Sequence, residues 1–385
     1  MSKVAHTPQL RFPEFSGDWE EKKLSDISDV RDGTHESPKY VLDGFPLITS
    51  KNLLSNGSID FENINLVSEE DYTNINKRSK VDINDILFGM IGTIGNPVIV
   101  KETGFAIKNV ALIKQQKELL NKFMIFYLSG NSIAKQFYIE NTGGTQKFLA
   151  LGVIRSLKIK FPPDTEQQKI AAFLTAVDNK IEQLSKKQEL LGEYKKGAMQ
   201  QIFSQAIRFK ADDGSDFPDW IEKKLGDVSI RGASNISANQ LEDNNGGYKI
   251  YGAAGHLKNI DFYTEEDCYV AIVKDGVGAG RIMLLEAKTS VLGTLAIIKA
   301  KQGNDINFLY WLIQTINFRK YVVGSTIPHI YYRDYQAENL RIPSLSEQTK
   351  IANFLSSIDT KIKQVGKQLN ESKQFKKALL QQMFV

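Results

Sequence analysis

A chain of 385 residues with 42% hydrophobic side chains and a formal charge of +4 has room for two globular domains and additional helices. Its single cysteine, Cys268, excludes internal disulfides and thiolate metal clusters, and the absence of any run of eighteen apolar residues excludes a hydrophobic membrane-spanning helix. The N-terminus MSKVAHTPQLRFPEF has no apolar signal core, so a soluble cytoplasmic protein is expected, and the excess charge sits on residues 342–385, with seven Lys and Arg against three Asp and Glu. Neither globular region is basic overall, so a nucleic-acid site would have to be a local patch.

Residues 11–26, RFPEFSGDWEEKKLSD, form a lead-in segment. Beyond it the runs FPLIT, DILFGMIG, PVIV and FAIKNVALIK predict strands, and KFMIFYLSGNSIAKQFYI predicts a helix from its i, i+3, i+4 apolar spacing. Residues 166–203 then predict one long helix, in which Ile170, Leu174, Val177, Ile181, Leu184, Gln188 and Leu191 step by fours and threes. Thr165 is the expected N-cap, with Gln168 completing a capping box. These 38 residues would make a rod of roughly 57 Å.

The chain then begins again. The lead-in returns at 209–227, Trp19 matching Trp220 and Lys22, Lys23 and Leu24 matching Lys223, Lys224 and Leu225. A second set of strands and the helix INFLYWLIQTINFRKYV lead to residues 347–384, which repeat 166–203 at an offset of 181 with no gap. The second seam is Ile351, Leu355, Ile358, Ile362, Val365 and Leu369, with Ser346 as its expected cap and Gly366 as a weak point costing about 1 kcal/mol against Ala. Arg11 and Phe12 match Arg208 and Phe209, which directly follow the first long helix, so the N-terminus continues where the C-terminal helix stops. The expected fold is α+β: two similar mixed α/β domains, 1–160 and 207–341, separated and followed by helices at 161–206 and 342–385. The helices pair as an antiparallel coiled coil in a circular pseudo-twofold chain. A repeat on this scale settles the architecture before any site is considered.

Several polar stretches could carry chemistry. GMIGTIGNP at 89–97 and DGVGAGR at 275–281 are glycine-rich but lead into strands, which favours hairpin turns over phosphate loops; Lys274 and Arg281 are cations beside the second. The loop RDGTHESPKY brings Arg31, Thr34, His35, Lys39 and Tyr40 together, Lys51 and Asn52 occupy another polar turn, and Lys77, Arg78 and Lys80 form the densest basic cluster. Ahead of each long helix, Gln146 and Lys147 in one copy and His329, Tyr331 and Arg333 in the other suit readout of base edges. No nucleophile, carboxylate pair or metal cluster accompanies them, so catalysis is not expected.

The paired FPPDTEQQKIAAFL and IPSLSEQTKIANFL helix starts, the two lead-ins and a variable globule before each helix resemble the specificity subunits of Type I restriction-modification enzymes across essentially the whole chain. The resemblance implies two target-recognition domains, each reading one half of a split sequence in double-stranded DNA, joined by helices that set the spacer and dock two methylation subunits. It also implies that S-adenosylmethionine, ATP and Mg²⁺ belong to methylation and restriction subunits, and that this chain is non-catalytic. A single-chain methyltransferase would need an S-adenosylmethionine loop and a [DN]PP[YF] motif, neither of which is found. A coiled-coil scaffold for protein partners remains the other reading, separable by neighbouring genes for a methyltransferase and a helicase-nuclease.

Overall fold

The computed structural model describes residues 7–116, 118–140, 148–241 and 246–385. They divide into unit 1, Met1–Ser185 with Gln368–Val385, and unit 2, Lys186–Lys367. Unit 1 opens with β1 (Glu20–Lys23), α1 (Leu24–Ile27), β2 (Val30–Asp32), β3 (Tyr40–Val41), β4 (Phe45–Thr49) and β5 (Asn65–Val67). It continues through α2 (Glu69–Ser79), β6 (Ile86–Gly89), β7 (Gly95–Ile99), β8 (Ala106–Lys108) and β9 (Val110–Ile113). Then come α3 (Asn121–Leu128), α4 (Asn131–Glu140), α5 (Leu151–Ser156), β10 (Lys158–Phe161) and the long α6 (Asp164–Phe203). Unit 2 supplies β11 (Ile221–Lys224), α7 (Leu225–Val228), β12 (Ser229–Ala233), β13 (Tyr248–Gly252), β14 (Gly255–Ile260) and β15 (Tyr269–Val273). It closes with β16 (Ile282–Leu285), β17 (Ser290–Val291), β18 (Leu295–Ala300), α8 (Ile306–Ile313), α9 (Tyr332–Tyr335), β19 (Asn339–Ile342) and α10 (Leu345–Gln382); the boundary between the units falls within α6, after Ser185, and within α10, after Lys367.

The uninterrupted apolar runs ILFG and VALI are explained by burial of both faces. They are β6 and β9, central in a four-stranded sheet of order β2-β9-β6-β7. Ile86, Phe88, Ala111 and Ile113 face a core with Phe123, Tyr127 and the start of α6, while Leu87, Val110 and Leu112 face a second core with Ile48, Phe105 and Ile107. Unit 2 has the same order in β12-β18-β15-β16, with Val270, Ile272 and Ile298 on the helix side and Ala271, Val273 and Ile297 on the other. Each unit also holds a second sheet containing one parallel pair, β4 with β8 in the four strands β3-β5-β4-β8 and β13 with β17 in the three strands β14-β13-β17. In both, the lead-in strand pairs antiparallel with the strand that feeds the long helix, β1 with β10 and β11 with β19.

The repeated EQ-x-KIA-x-FL sequence is the joint between that strand pair and the helix. Glu166 is fully buried and takes both Nε and Nη2 of Arg11, at 2.8 and 2.7 Å. Gln167 accepts from Leu120 N–H at the start of α3 and donates to the carbonyls of Glu118 and Pro162. Lys169 pairs with Glu14 and lies over the Phe12 ring. Ile170, Ala171 and Leu174 enter the core beside Trp19. Unit 2 repeats the main contacts: Arg208 binds buried Glu347, Gln348 accepts from Asp305 N–H and donates to Pro343 C=O, Lys350 pairs with Asp212 and lies over the Phe217 ring, and Ile351, Ala352 and Leu355 are buried. The chain ends complete the pattern, for Leu10 N–H donates to Gln382 C=O in unit 1, and Phe384 packs on Trp19 as Phe203 packs on Trp220 in unit 2.

Within unit 2, Lys195 reaches Asp359 at 2.8 Å, and a Cβ on Gly366 would meet the Gln188 amide at 2.8 Å. Rising positions on α6 thus face falling positions on α10, an antiparallel pair. The repeat-equivalent ion pair, Lys376 with Asp178 at 2.6 Å, closes unit 1. Gly366 therefore makes room for Gln188 rather than marking a defect in the helix.

Some expectations need correction. The first residues of each seam, Ile170 and Leu174, Ile351, Leu355 and Ile358, pack into the globular cores, because each helix starts inside its own unit. Val177 and Ile362 lie at the edges of those cores, Leu184, Val365 and Leu369 are buried further along the helices, and Ile181 and Leu191 are half-buried. Helix α10 is capped by Ser344, whose Oγ faces Glu347 N–H, two residues before the expected Ser346; on α6 Gln168 bonds Asp164 instead of closing a box with Thr165. FAIKNVALIK divides at Asn109 into β8 and β9, which belong to different sheets. KFMIFYLSGNSIAKQFYI breaks into α3 and α4 at 129–130, and INFLYWLIQTINFRKYV ends as α8 at Ile313.

Arg11→Ala would leave Glu166 buried without its cation, and the expected loss is about 3 kcal/mol of unit 1 stability in urea unfolding. Arg208→Ala should cost distinctly less, because Trp220 Nε1 also donates to Glu347, at 3.1 Å. Equal losses would contradict this account.

Candidate nucleic-acid interface

Unit 1 arranges its cationic loop around one carboxylate. Asp32, the buried last residue of β2, accepts from Arg78 Nη2 on one oxygen and from His35 Nε2, at 2.8 Å, on the other. Gly33 permits the close crossing that brings the loop here, since a Cβ at that position would lie 2.3 Å from the Ile107 carbonyl oxygen. The second ring nitrogen of His35 faces Asn109 Oδ1 at 2.8 Å, from a residue in the left-handed conformation at φ 55°. Acceptors on both nitrogens favour the imidazolium, and the pKa of His35 is raised above 6.5, mainly by the bond to Asp32 and next by that to Asn109. Partial burial and the nearby Arg78 charge oppose the shift.

The neighbouring cations differ in what they have left to offer. Arg31 gives Nε and Nη2 to Asp29, at 2.8 and 2.6 Å, and Nη1 to the Arg78 carbonyl at 3.1 Å, so its fork is consumed within the protein. Arg78, in the last turn of α2, is 66% exposed and anchored only through Nη2 among the described residues. Lys77 donates to Asn74 within the same helix, and Lys80 stands 3.7 Å from Asp82. Lys39, Tyr40 and Lys51 are exposed. Asn52 must be withdrawn as a contact residue: it is 5% exposed, and its amide bonds Thr49, Asp60 and Asn63 to hold its own turn. Thr34 Oγ1 likewise accepts from Glu36 N–H and organises the loop.

In unit 2 the glycine-rich turn and the segment ahead of α10 come together. Asp275 pairs with His329 across an antiparallel bridge, its carboxylate 2.8 Å from Nδ1, and Ile330 N–H donates to Lys274 C=O. Gly276 and Gly280 have φ of 87° and 88°, the hairpin geometry expected. His329, Tyr331 and Arg333 follow at alternate positions, the first ring stacked on the second at 17° and the guanidinium 5.1 Å from it. Arg281 is exposed and fixed to the Ala253 carbonyl, while Lys274 is half-buried. Unit 1 has the same juxtaposition, with Leu149 N–H on Met90 C=O, but Gln146 and Lys147 lie outside the described residues.

Sequence reasoning missed Asp32, Asn109, Asp275 and Arg231, whose guanidinium lies 6.0 Å from the Tyr332 ring. Asp32 and Asp275 were adjacent to chosen cations, and attention to counter-charges would have found them. Among the described residues no group of His, Cys, Asp and Glu could hold a metal, and no helix is long and apolar enough to cross a membrane.

One scaffold used twice, with different cation-bearing loops on each copy, defines a two-domain recognition protein. The chain belongs to the Type I restriction modification DNA specificity domain family, whose sequence model matches residues 16–191 and 218–373; it is a specificity subunit, contributing recognition rather than catalysis. It is 27% identical over 95% of its length to a chain provisionally described as the MjaX specificity subunit of Methanocaldococcus jannaschii, 93% of which is covered. It is 24% identical over 96% of its length to the MjaVIII specificity subunit of the same organism, 92% of which is covered. The crystal structure of a Type I restriction-modification S subunit from M. genitalium superposes with a TM-score of 0.67 over 98% of this chain and 99% of that one, at 17% identity.

A raised folded-state pKa at His35 stabilises unit 1 fully below about pH 6.5 and progressively less as pH rises through the raised value. The gap in melting temperature between wild type and His35→Gln should therefore shrink from about pH 6 to about pH 8.5. A gap independent of pH would refute the assignment of this proton.

Proposed function

We propose that each unit reads one half of an asymmetric, bipartite DNA sequence, while α6 and α10 set the spacer and dock two methylation subunits. The observation carrying this reading is the contrast between frame and loops. Buried Arg–Glu pair, Gln cross-link and Lys–Asp helix pair recur in both units. The polar groups differ: Asp32, the last residue of β2, holds His35 and Arg78 in unit 1, where β12 of unit 2 ends in Ala233, and unit 2 carries His329, Tyr331 and Arg333 ahead of α10. Two unlike readers imply two unlike half-sites, and a rigid helix pair fixes their separation as dimer geometry fixes half-site spacing in other readers.

The methyl donor, S-adenosylmethionine, is assigned to the methylation subunits, and ATP and Mg²⁺ to restriction subunits, in a cytoplasmic complex. The near-neutral composition of each unit fits, since partner subunits can supply much of the phosphate contact and its salt dependence.

Methyladenine mapping in a methylation-free host should reveal a split motif when this chain is co-expressed with the methylation subunit from its own source, and none with that subunit alone. A stable complex that leaves no motif would sink the reading. Deleting one matched turn from both α6 and α10 should change the spacer while leaving both half-sites intact; an unchanged spacer would remove the helices from that role.

A further inference from the structure

Arg31 in β2 and Arg78 in the last turn of α2 are chemically distinct in this fold. Arg31 has spent Nε, Nη1 and Nη2 on Asp29 and a backbone carbonyl. Arg78 spends one nitrogen on Asp32 and keeps the rest of its planar fork on the surface. Asp32 is itself fixed, buried at the end of β2 and held on its second oxygen by His35, which Asn109 holds in turn. The result is an exposed guanidinium whose direction is set by a carboxylate that cannot move.

We propose that Arg78, oriented by Asp32 and His35, reads a guanine in the half-site bound by unit 1. This assignment rests on the DNA-reading function and adds a base to it. A guanine presents O6 and N7 in the major groove, a pair of acceptors that matches a guanidinium fork. The buttress decides between base and phosphate. A phosphate contact needs charge and tolerates loose geometry, and a carboxylate beside the cation weakens it. A base edge is neutral and demands direction, which the carboxylate supplies. In unit 2 the cation is arranged otherwise: Arg333 lies against Tyr331 and its neighbour Asp334, so the prediction concerns one half-site only. Arg78 is the specificity residue, and Asp32 and His35 are positioning residues.

The test uses the complex of the full chain with its methylation subunit and duplexes carrying the mapped target. Each guanine of both half-sites is replaced in turn by 7-deazaguanine, which lacks N7, and binding is measured against scrambled DNA. One replacement should weaken wild-type binding about 10- to 100-fold, the range of a bidentate base contact. That penalty should vanish in Arg78→Ala and shrink in Arg78→Lys, which keeps the charge and loses the fork. Asp32→Asn should reduce the same penalty without lowering scrambled-DNA binding, because the substitution removes a negative charge; a purely structural carboxylate would lower cognate and scrambled binding together. Loss of cognate and scrambled binding in equal measure on Arg78→Ala, full binding by Arg78→Lys, or a target without such a guanine would overturn the assignment. A wild-type complex that does not distinguish cognate from scrambled DNA would instead overturn the DNA-reading function, and this assignment with it.

Discussion

A carboxylate buried at the first turn of each long helix is the constraint on which the rest of the structure depends. Glu166 and Glu347 are at most 1% exposed, and a charge so placed is tolerable only with a cation and well-made hydrogen bonds. Its site near the helix N-terminus helps, but the decisive partner is an arginine brought by the lead-in segment. To deliver Arg11 or Arg208, the lead-in must run beside the strand preceding the helix, and the pairings of β1 with β10 and β11 with β19 follow. The neighbouring Gln then ties the same turn to the start of α3 or α8. Three segments distant in sequence, the lead-in, the strand running into the long helix and the start of α3 or α8, are thereby fixed at one point.

The joint also accounts for the order of the repeat along the chain. Unit 1 receives its lead-in from the N-terminus and its closing aromatic, Phe384, from the C-terminus, while unit 2 takes Phe203 and Arg208 from the middle of the chain. The two joints are not identical. Trp220 donates its indole N–H to Glu347, which also takes two bonds from Arg208, whereas the Trp19 indole N–H is buried without a partner among the described residues, and Glu166 takes its two bonds from Arg11 alone. An unsatisfied donor of this kind costs stability, so unit 1 leans more heavily on its arginine.

The long repeat, the strand runs and the glycine hairpins were legible in the sequence because each rests on local pattern: period, apolar continuity and the need for positive φ. What the seam packs against was not, since the same i, i+4 spacing serves a partner helix and a domain core alike. Ile170 and Ile351 met the core first. Loop chemistry was legible as residue type and not as role. Asn52, Thr34, Arg31 and Arg78 are all polar and adjacent to turns, and only tertiary geometry separates a staple from a free fork. The Asn109 break had a faint signal, a polar residue inside an apolar run, whose meaning required knowing that β8 and β9 belong to different sheets.

Charge compensation in the loops has the same logic as the joint, turned outward. Each exposed cation cluster carries a carboxylate of its own: Asp29 and Asp32 in unit 1, Asp275 and Asp334 in unit 2. Such pairing sacrifices long-range attraction to a polyanion and gains fixed direction. A protein that had to find and hold DNA alone would do poorly with this arrangement, because non-specific affinity comes from uncompensated Lys and Arg. A subunit held in a larger complex has no such need. Its contribution is discrimination, which depends on where each donor points, and a carboxylate that fixes one guanidinium serves that end better than an additional free lysine.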